Sequence, residues 1–194
     1  MSGHSKWSQI KHQKAAADAK RGQAFSKLSK TIALAAKEGG TDPASNTKLR
    51  DAITKAKQAN MPADNIQRAI ARATTAAEGL ETFLYEAYGP GGVALLIEGV
   101  SDNRNRSAGE IKHLLAEHGA KWAEPGSVQW AFRKTNAGWE AQEHSRIEVN
   151  EEDQKKLKIL LDALEEQEDV EEIYTNVKNI KETNLSLNYE NFRH

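Results

Sequence analysis

The sequence FLYEAYGPGGVALLIEGV, residues 83–100, marks the point at which the chain changes from helical to strand periodicity. Two apolar runs, at residues 83–88 and 92–100, lie on either side of the turn-forming segment GPGG at residues 89–92. This pattern predicts two strands joined by a tight connection. A phosphate-binding loop is the alternative for GPGG, but the segment lacks the Walker lysine and does not open a helix, so we favour a turn.

Upstream of this stretch, apolar residues recur at helical spacing in three segments. The first runs from Lys14 to Glu38 and is closed by a glycine pair, the second covers about residues 44–59, and the third follows Pro62. In the first segment, one face carries Phe25, Leu28, Ile32, Ala35 and Ala36 and another carries Lys20, Lys27, Lys30 and Lys37, with Leu34 as an exception. These segments predict a compact three-helix bundle.

Downstream of residue 100, helical and strand patterns alternate. We predict a helix over about residues 107–118, a strand over Ser127–Arg133 with Val128, Trp130 and Phe132 on its buried face, a short strand over Arg146–Val149, a helix capped by Asn150, and a strand over Val170–Thr175. Counted from Gly92, the order is β-α-β-β-α-β, the split βαβ pattern of ferredoxin-like folds, with residues 83–88 as an extra strand on its front edge. The predicted fold class is therefore α plus α+β, a three-helix bundle followed by a ferredoxin-like domain.

Charge separates the predicted domains. Residues 1–72 contain 14 Lys or Arg and 5 Asp or Glu, whereas residues 73–194 contain 13 and 23. We predict a basic three-helix domain at 1–76, an acidic α+β domain at 83–176 and a C-terminal tail at 177–194, with a linker around residues 74–82. This asymmetry favours a polyanion-binding module joined to an acidic companion; the alternative is a solvated, lysine-rich helical surface.

Composition excludes several classes of protein. The chain has no cysteine, which excludes a disulfide scaffold, a thiol nucleophile and a cysteine-ligated metal site. It shows neither an apolar secretory h-region nor a run near the roughly 20 apolar residues that span a bilayer, so we expect a cytoplasmic protein without a membrane partner. The six histidines lack metal-ligand spacing, and no nucleophile or paired-carboxylate pattern stands out. We therefore predict no metal, no cofactor and no catalysis.

Six motifs are distinctive enough to compare with known families. They are GHSKW at residues 3–7, IKHQKAAADAKRG at 10–22, KEGGTDP at 37–43, ANMPADNIQRAI at 59–70, YEAYGPGGVALLIE at 85–98 and SDNRNR at 101–106. Together they closely resemble the YebC/PmpR family, whose mitochondrial members are translational activators of cytochrome c oxidase. The resemblance implies a three-helix domain followed by two α+β domains, the third inserted in the second. Between Arg133 and Arg146 this sequence is too short for that insertion, and we predict a hairpin loop there.

The resemblance implies two functions that would use the same kind of surface. Family members are described as DNA-binding transcriptional regulators and as ribosome-associated factors that help translation through proline-rich stretches. We predict a non-catalytic regulator of gene expression that binds nucleic acid through its N-terminal module. The alternative is a ribosome-associated translational activator that binds ribosomal RNA. A hydrolase or transferase, the third class considered, has no sequence signature here.

The candidate nucleic-acid-binding residues form two groups. The N-terminal group contains Lys6, Trp7, Lys11, His12, Lys14, Lys20, Arg21 and Lys27. Lysines attract phosphates through counterion release, and Trp7 would either stack on a base or anchor the N-terminal arm. Because the residues before Lys14 lack helical periodicity, we predict a flexible arm that orders on its partner.

The second group contains Arg104 and Arg106, which lie at the start of a predicted helix, where backbone N–H groups also favour anions. The alternative for this group is a capped turn with solvated arginines. The acidic run at residues 165–172 is predicted to be a solvated helix end that repels nucleic acid.

Overall fold

A computed structural model describes residues 3–75, 79–136 and 138–178, with the side chains of residues 3–18, 74 and 75 outside the described part. The helices are α1 (Gly3–Gly39), α2 (Thr47–Gln58), α3 (Ala63–Thr75), α4 (Arg104–Glu117) and α5 (Glu151–Glu166). The strands are β1 (Glu81–Tyr88), β2 (Ala94–Ser101), β3 (Lys121–Ala123), β4 (Phe132–Thr135), β5 (Gly138–Ala141) and β6 (Val170–Thr175). Helices α1–α3, the helical unit, precede an α+β unit that holds the remaining elements. The predicted α plus α+β class is confirmed.

The helical unit is built on small apolar contacts. Its shared core consists of Leu28, Ile32, Ala35, Ala36, Leu49, Ala52, Ala56, Ala59, Met61, Ile66 and Ala69. The core face predicted for the first helix is therefore correct. Because alanine side chains are short, α2 and α3 can each pack closely against α1.

Helix α1 begins earlier than the sequence pattern indicated. It is helical from Gly3 and has 37 residues, which gives a length of about 55 Å at 1.5 Å per residue. The prediction of a flexible arm before Lys14 is thus wrong for the backbone. The alanine-rich run at residues 15–19 has high helix propensity, which favours a helix here without a regular apolar stripe.

The α+β unit contains a four-stranded antiparallel sheet in the order β3-β1-β2-β6. Strand β1 pairs with β2 from Glu81↔Ser101 to Tyr88↔Ala94 and with β3 on its other side. Because β2 and β3 both run antiparallel to β1, they are parallel to each other, and β2-α4-β3 is a split βαβ unit. The predicted front-edge position of residues 83–88 is wrong, since β1 is an internal strand.

The GPGG segment is a turn, as predicted. Residues Pro90–Gly92 form one turn of 3-10 helix between β1 and β2. Gly91 has φ 72°, and a Cβ at this position would lie 2.6 Å from a methyl carbon of Val149. Both the left-handed backbone and the close approach therefore require glycine.

Each face of the sheet is covered by different elements. One face packs against α4 and α5 through a core that includes Leu95, Ile97, Ile111, Leu115, Leu157, Leu160, Leu164 and Ile173. The other face packs against β4, β5 and the segment before β4, with Leu96, Ala123, Val128, Ala131 and Phe132 buried. The α+β unit is thus a sheet with two helices on one side and a hairpin on the other.

The hairpin predicted between Arg133 and Arg146 is confirmed. Strands β4 and β5 pair from Phe132↔Ala141 to Thr135↔Gly138. The short strand predicted over residues 146–149 is reduced to an isolated bridge between Ile147 and Val177. An isolated bridge results because the connection runs past the end of β6 instead of along it.

The strand predicted over Ser127–Arg133 is wrong for residues 127–131. Residues Gln129–Ala131 form a 3-10 turn, in which successive side chains are about 120° apart, so Trp130 is 60% exposed while Val128 is buried. The buried carboxylate of Glu86 holds this turn by accepting the backbone N–H groups of Gly126, Val128 and Gln129 at 2.6–3.0 Å.

The predicted tail lies outside the described residues from 179 onward, and the centre of the predicted linker, residues 76–78, also lies outside them. Among the described helices, none combines the length and apolar character needed to cross a membrane.

Candidate nucleic-acid interface

The N-terminal candidate residues lie on a single helix. Lys6, Trp7, Lys11, His12 and Lys14 belong to the first four turns of α1, and their side chains are outside the described part. Farther along α1, residues 19–23 are all exposed over more than one full turn, and they include Lys20 and Arg21. We call Lys6, Lys11, Lys14, Lys20 and Arg21 the basic end of α1. About 22 Å of helix separates the first of these residues from the last.

Lys27 does not belong to this exposed surface. Its side chain is buried, and its Nζ donates a hydrogen bond to the backbone carbonyl of Glu165 in the last turn of α5. That turn has no basic residue of its own, so Lys27 supplies the positive charge that a helix C-terminus favours. Burial lowers the pKa of Lys27 to about 8. The prediction that Lys27 contacts nucleic acid is therefore wrong in this fold.

Lys30 also faces the α+β unit instead of solvent. Its Nζ lies 2.5 Å from Oδ1 of Asp169, a carboxylate that is fully buried, and 3.3 Å from Glu168. The other Asp169 oxygen accepts hydrogen bonds from Ser107 at 2.6 Å and Ser101 at 3.2 Å. Burial acts to raise the pKa of Asp169, but the hydrogen bonds from Lys30 and Ser107 outweigh it and lower the pKa.

The two arginine candidates at the start of α4 have different surroundings. Arg106 lies 2.9 Å from Asp169 and also pairs with Asp102 and Glu110, so its guanidinium already has three carboxylate partners. Arg104 is 54% exposed and lies 3.8 Å from Glu81. Asn103 caps α4 by accepting the N–H of Arg106, as the capped-turn alternative describes. Arg104 thus remains available to an anion, whereas Arg106 mainly fixes the start of α4.

The acidic segment, residues 165–172, is the surface on which the helical unit docks. Its contacts with that unit are Lys20–Glu166 at 3.6 Å, Lys27 to the Glu165 carbonyl, Lys30 to Glu168 and Asp169, Thr31 to Glu171, and Lys55–Glu172 at 3.6 Å. Burial raises the pKa of Glu165, Glu171 and Glu172. The prediction of a solvated helix end is wrong, because most of this segment is covered by α1 and α2.

An apolar contact completes the docking. Ala33 and Leu34 of α1 pack against Leu80 and Val100 at the end of the β1–β2 hairpin. Leu34 had no place on the predicted core face, and this contact accounts for it. The sequence contained a signal for this docking, because Leu34 is an apolar residue outside the predicted core face and lies on the same side of α1 as Lys27 and Lys30.

Helix α3 carries the polar residues expected of a helix that reads base edges. Gln67 and Arg68 are exposed and Asn65 is half-buried. Arg68 donates to the Asp64 carbonyl at 3.3 Å and to the Asn65 side chain. In the described ranges, His, Asp and Glu side chains form no group of three that could hold a metal ion.

The fold and the site define an α plus α+β protein in which a lysine-rich helix docks on an acidic domain and leaves Lys20 and Arg21 exposed. Residues 5–76 match the TACO1/YebC protein N-terminal domain, and residues 80–138 match the TACO1/YebC second and third domain. The chain belongs to the TACO1/YebC family. The second match ends inside the β4–β5 hairpin, where this sequence is short.

Relatives with similar sequences are named as regulators. A "probable transcriptional regulatory protein" of Halothermothrix orenii is 52% identical over 167 residues, which are 85% of this chain and 63% of that protein. A protein of the same name from Dictyoglomus thermophilum is 46% identical over 202 residues, covering 100% of this chain and 78% of its own length. A third, from Pseudothermotoga lettingae, is 54% identical, and the chain spans only 54% of its length.

A solved structure has the same fold. The crystal structure of a conserved hypothetical protein from Aquifex aeolicus superposes with a TM-score of 0.72 at 29% identity. The superposition covers 83% of this chain and 91% of the Aquifex protein.

Proposed function

We propose that this protein is a non-catalytic regulator of gene expression that binds nucleic acid through the basic end of α1. The observation that carries the proposal is the exposure of α1 around Lys20 and Arg21, within residues 1–72, which hold 14 basic and 5 acidic residues. Lysines on an exposed helix neutralise phosphates and release counterions, which supplies affinity without base readout. The names of the relatives support a regulator.

The α+β unit contributes by organising this charge. The acidic segment takes up Lys27 and Lys30 in the docking contact, which fixes the direction of α1 relative to the sheet. The basic end then extends from a rigid support, so little conformational entropy is lost when it meets a polyanion.

DNA is favoured by the arrangement of α2 and α3. Four residues, Ala59–Pro62, join these helices, a connection length typical of helix-turn-helix motifs, and α3 exposes Gln67 and Arg68. Ribosomal RNA is the second candidate, and the observation in its favour is the length of α1. A continuous helix of about 55 Å with a basic end has a shape suited to an RNA-walled channel.

The first prediction concerns the salt dependence of binding. Replacing Lys6, Lys11 and Lys14 with Ala should weaken binding to DNA duplex and to structured RNA. It should also reduce the magnitude of the slope of log K against log[salt] by about two to three, since each lost phosphate contact removes roughly 0.9 for duplex DNA. Fluorescence anisotropy over a salt series measures both quantities. Replacing Lys121, Lys155 and Lys158, which are exposed on the α+β unit, is the charge-matched control. Equal slopes for the parent and the α1 variant would contradict the proposal.

The choice of polymer needs a separate comparison. Sedimentation with ribosomes and footprinting on promoter DNA should be carried out on one preparation. Ribosome association that the α1 variant loses would favour the RNA candidate, and a footprint without ribosome association would favour DNA.

A further inference from the structure

A polar groove lies between α1 and α3, on the helical unit. Its volume is about 340 Å³, and it is lined by Ser29, Asn65, Arg68, Ala69 and Arg72. Ser29 is half-buried on α1, Ala69 forms part of the buried floor, and both arginines are exposed. The lining therefore offers two positive charges, a hydroxyl and an amide around a space that small side chains leave open.

The two arginines are arranged for an anion. They are four residues apart on α3, so they lie on the same face one turn apart, where like charges repel each other until an anion binds between them. Neither forms an ion pair with a carboxylate in the described part of the chain, which distinguishes them from Arg104, Arg106 and Arg133. A bound anion would supply the missing counter-charge.

Arg68 is already held in position. Its Nε donates to the Asp64 carbonyl at 3.3 Å, and one terminal nitrogen donates to Oδ1 of Asn65. These bonds restrict the long side chain, so less rotamer entropy is lost when its remaining N–H groups bind a ligand. The planar guanidinium matches the spacing of phosphate oxygens, which two N–H groups can contact at once.

The side of α1 that carries Ser29 is open at Gly22. Gly22 precedes Ser29 by seven residues, nearly two helical turns, and therefore lies on the same side of α1. A Cβ at Gly22 would meet no atom within 4 Å, so this side of the helix is open. A ligand that lies along this side of α1 can thus extend from Gly22 into the groove, about 10 Å farther along the helix.

We propose that this groove binds a backbone phosphate of the nucleic acid, gripped by Arg68 and Arg72, with the Ser29 hydroxyl as an additional donor. The proposal rests on the proposed function and locates a contact that the basic end of α1 alone does not provide. The ligand is a phosphodiester, found in both DNA and RNA, because the two guanidinium groups and the hydroxyl can all donate to its oxygens, which only accept.

The test uses the full chain with a labelled DNA duplex and a labelled RNA hairpin. Arg68→Gln with Arg72→Gln should weaken binding about tenfold or more at low salt and lower the salt slope by about two. Arg50→Gln with Lys57→Gln removes the same charge from exposed positions of α2 that do not line the groove, and should have a clearly smaller effect. Ser29→Leu obstructs the groove without changing charge and should weaken binding to the same polymer, with unfolding curves showing that the variant is folded.

The outcomes separate the two proposals. If the parent binds neither polymer, the proposed function fails and the groove proposal fails with it. If the parent binds but the groove and control pairs lose affinity equally, and Ser29→Leu binds like the parent, only the groove proposal is overturned. Polyglutamate serves as a third labelled ligand. If the Arg68→Gln, Arg72→Gln variant loses binding to polyglutamate but binds nucleic acid like the parent, the groove is a site for an acidic protein chain, and the groove proposal is overturned. A loss seen with only one of the two polymers identifies that polymer as the source of the phosphate.

Discussion

Lys27 carries an ammonium group into the contact between α1 and the end of α5, where it is only 3% exposed. Burial disfavours its charged form more strongly than the nearby Glu165 and Glu171 favour it, so its pKa falls from 10.5 to about 8. The group is still largely protonated at neutral pH and therefore carries a desolvation cost there.

A pH-dependent stability difference follows from this residue. Between pH 8 and 10.5 the unfolded chain keeps a proton on Lys27 that the folded chain has released, so stability rises with pH in this window. We expect the free energy of unfolding of the parent to rise relative to Lys27→Met by roughly 3 kcal/mol between pH 7.5 and 10.5. Urea unfolding of both proteins measures the difference, and taking the difference cancels other titrations. Lys48→Met, at an exposed lysine, should give a curve parallel to the parent. If the plot of the free energy of unfolding against pH for Lys27→Met were parallel to that of the parent, Lys27 would not be buried as described.

At the scale of the elements, a single side chain joins α1 to α2. Asn46 is buried; its Oδ1 accepts the N–H of Leu49, which caps α2, and its Nδ2 donates to the carbonyls of Ala35 at 2.7 Å and Gly40 at 2.8 Å. It thereby satisfies backbone groups at the end of one helix and at the start of the next. The adjacent Gly39 is necessary, because a Cβ there would lie 2.6 Å from the Asn46 amide.

Asn46→Ala should therefore cost more than an ordinary cap. We expect a loss of about 2–4 kcal/mol, because the cap and both bonds to buried or partly buried carbonyls disappear together. Asn150→Ala removes the exposed cap of α5 and should cost only about 1 kcal/mol. Asn46→Asp keeps the acceptor but cannot donate, so it should still be destabilised. Denaturant unfolding measures all three, and equal costs for the Asn46 and Asn150 variants would refute this assignment.

At the scale of the whole molecule, the helical unit is held on the α+β unit by buried charge and a small apolar contact. Asp169 is the centre of this arrangement, because it joins Lys30 of α1 to Ser107 and Arg106 of α4. Loss of one of these partners strongly destabilises the folded protein, because it leaves the buried carboxylate of Asp169 without full compensation of its charge.

A double-mutant cycle tests the docking. For Lys30→Met and Asp169→Asn we expect a coupling free energy above about 1 kcal/mol, since the pair is nearly excluded from water. The matched pair Lys48–Glu38 has a similar distance of 2.8 Å but is exposed, and its coupling should stay below about 1 kcal/mol. Similar couplings for the two pairs would mean that the units are not docked through Asp169 in solution.

Much of the architecture follows from local pattern. The fold class, α2 and α3, the turn at residues 89–92 and the hairpin after Arg133 were all predictable, because periodicity, turn residues and segment length are properties of neighbouring positions. The exposed Trp130 was not predictable, because the spacing of Val128, Trp130 and Phe132 is the alternation of a strand and gives no sign of the 3-10 turn that breaks it. Only the buried Glu86, distant in sequence, selects the turn.

The candidate interface was also predictable only in part from the sequence. The excess of basic residues in residues 1–72 is visible in the sequence, as is the motif set that marks the family, since charge and residue identity need no coordinates. Which lysines remain exposed was settled by tertiary contacts. Lys20 and Lys27 lie on one side of the same helix, yet Lys20 is solvated and Lys27 is buried, because the end of α5 meets α1 at Lys27. The strand order was also decided by tertiary structure. Strand β1 pairs with both β2 and β3, and the pairing with β3 joins residues that are distant in sequence, which no local pattern encodes.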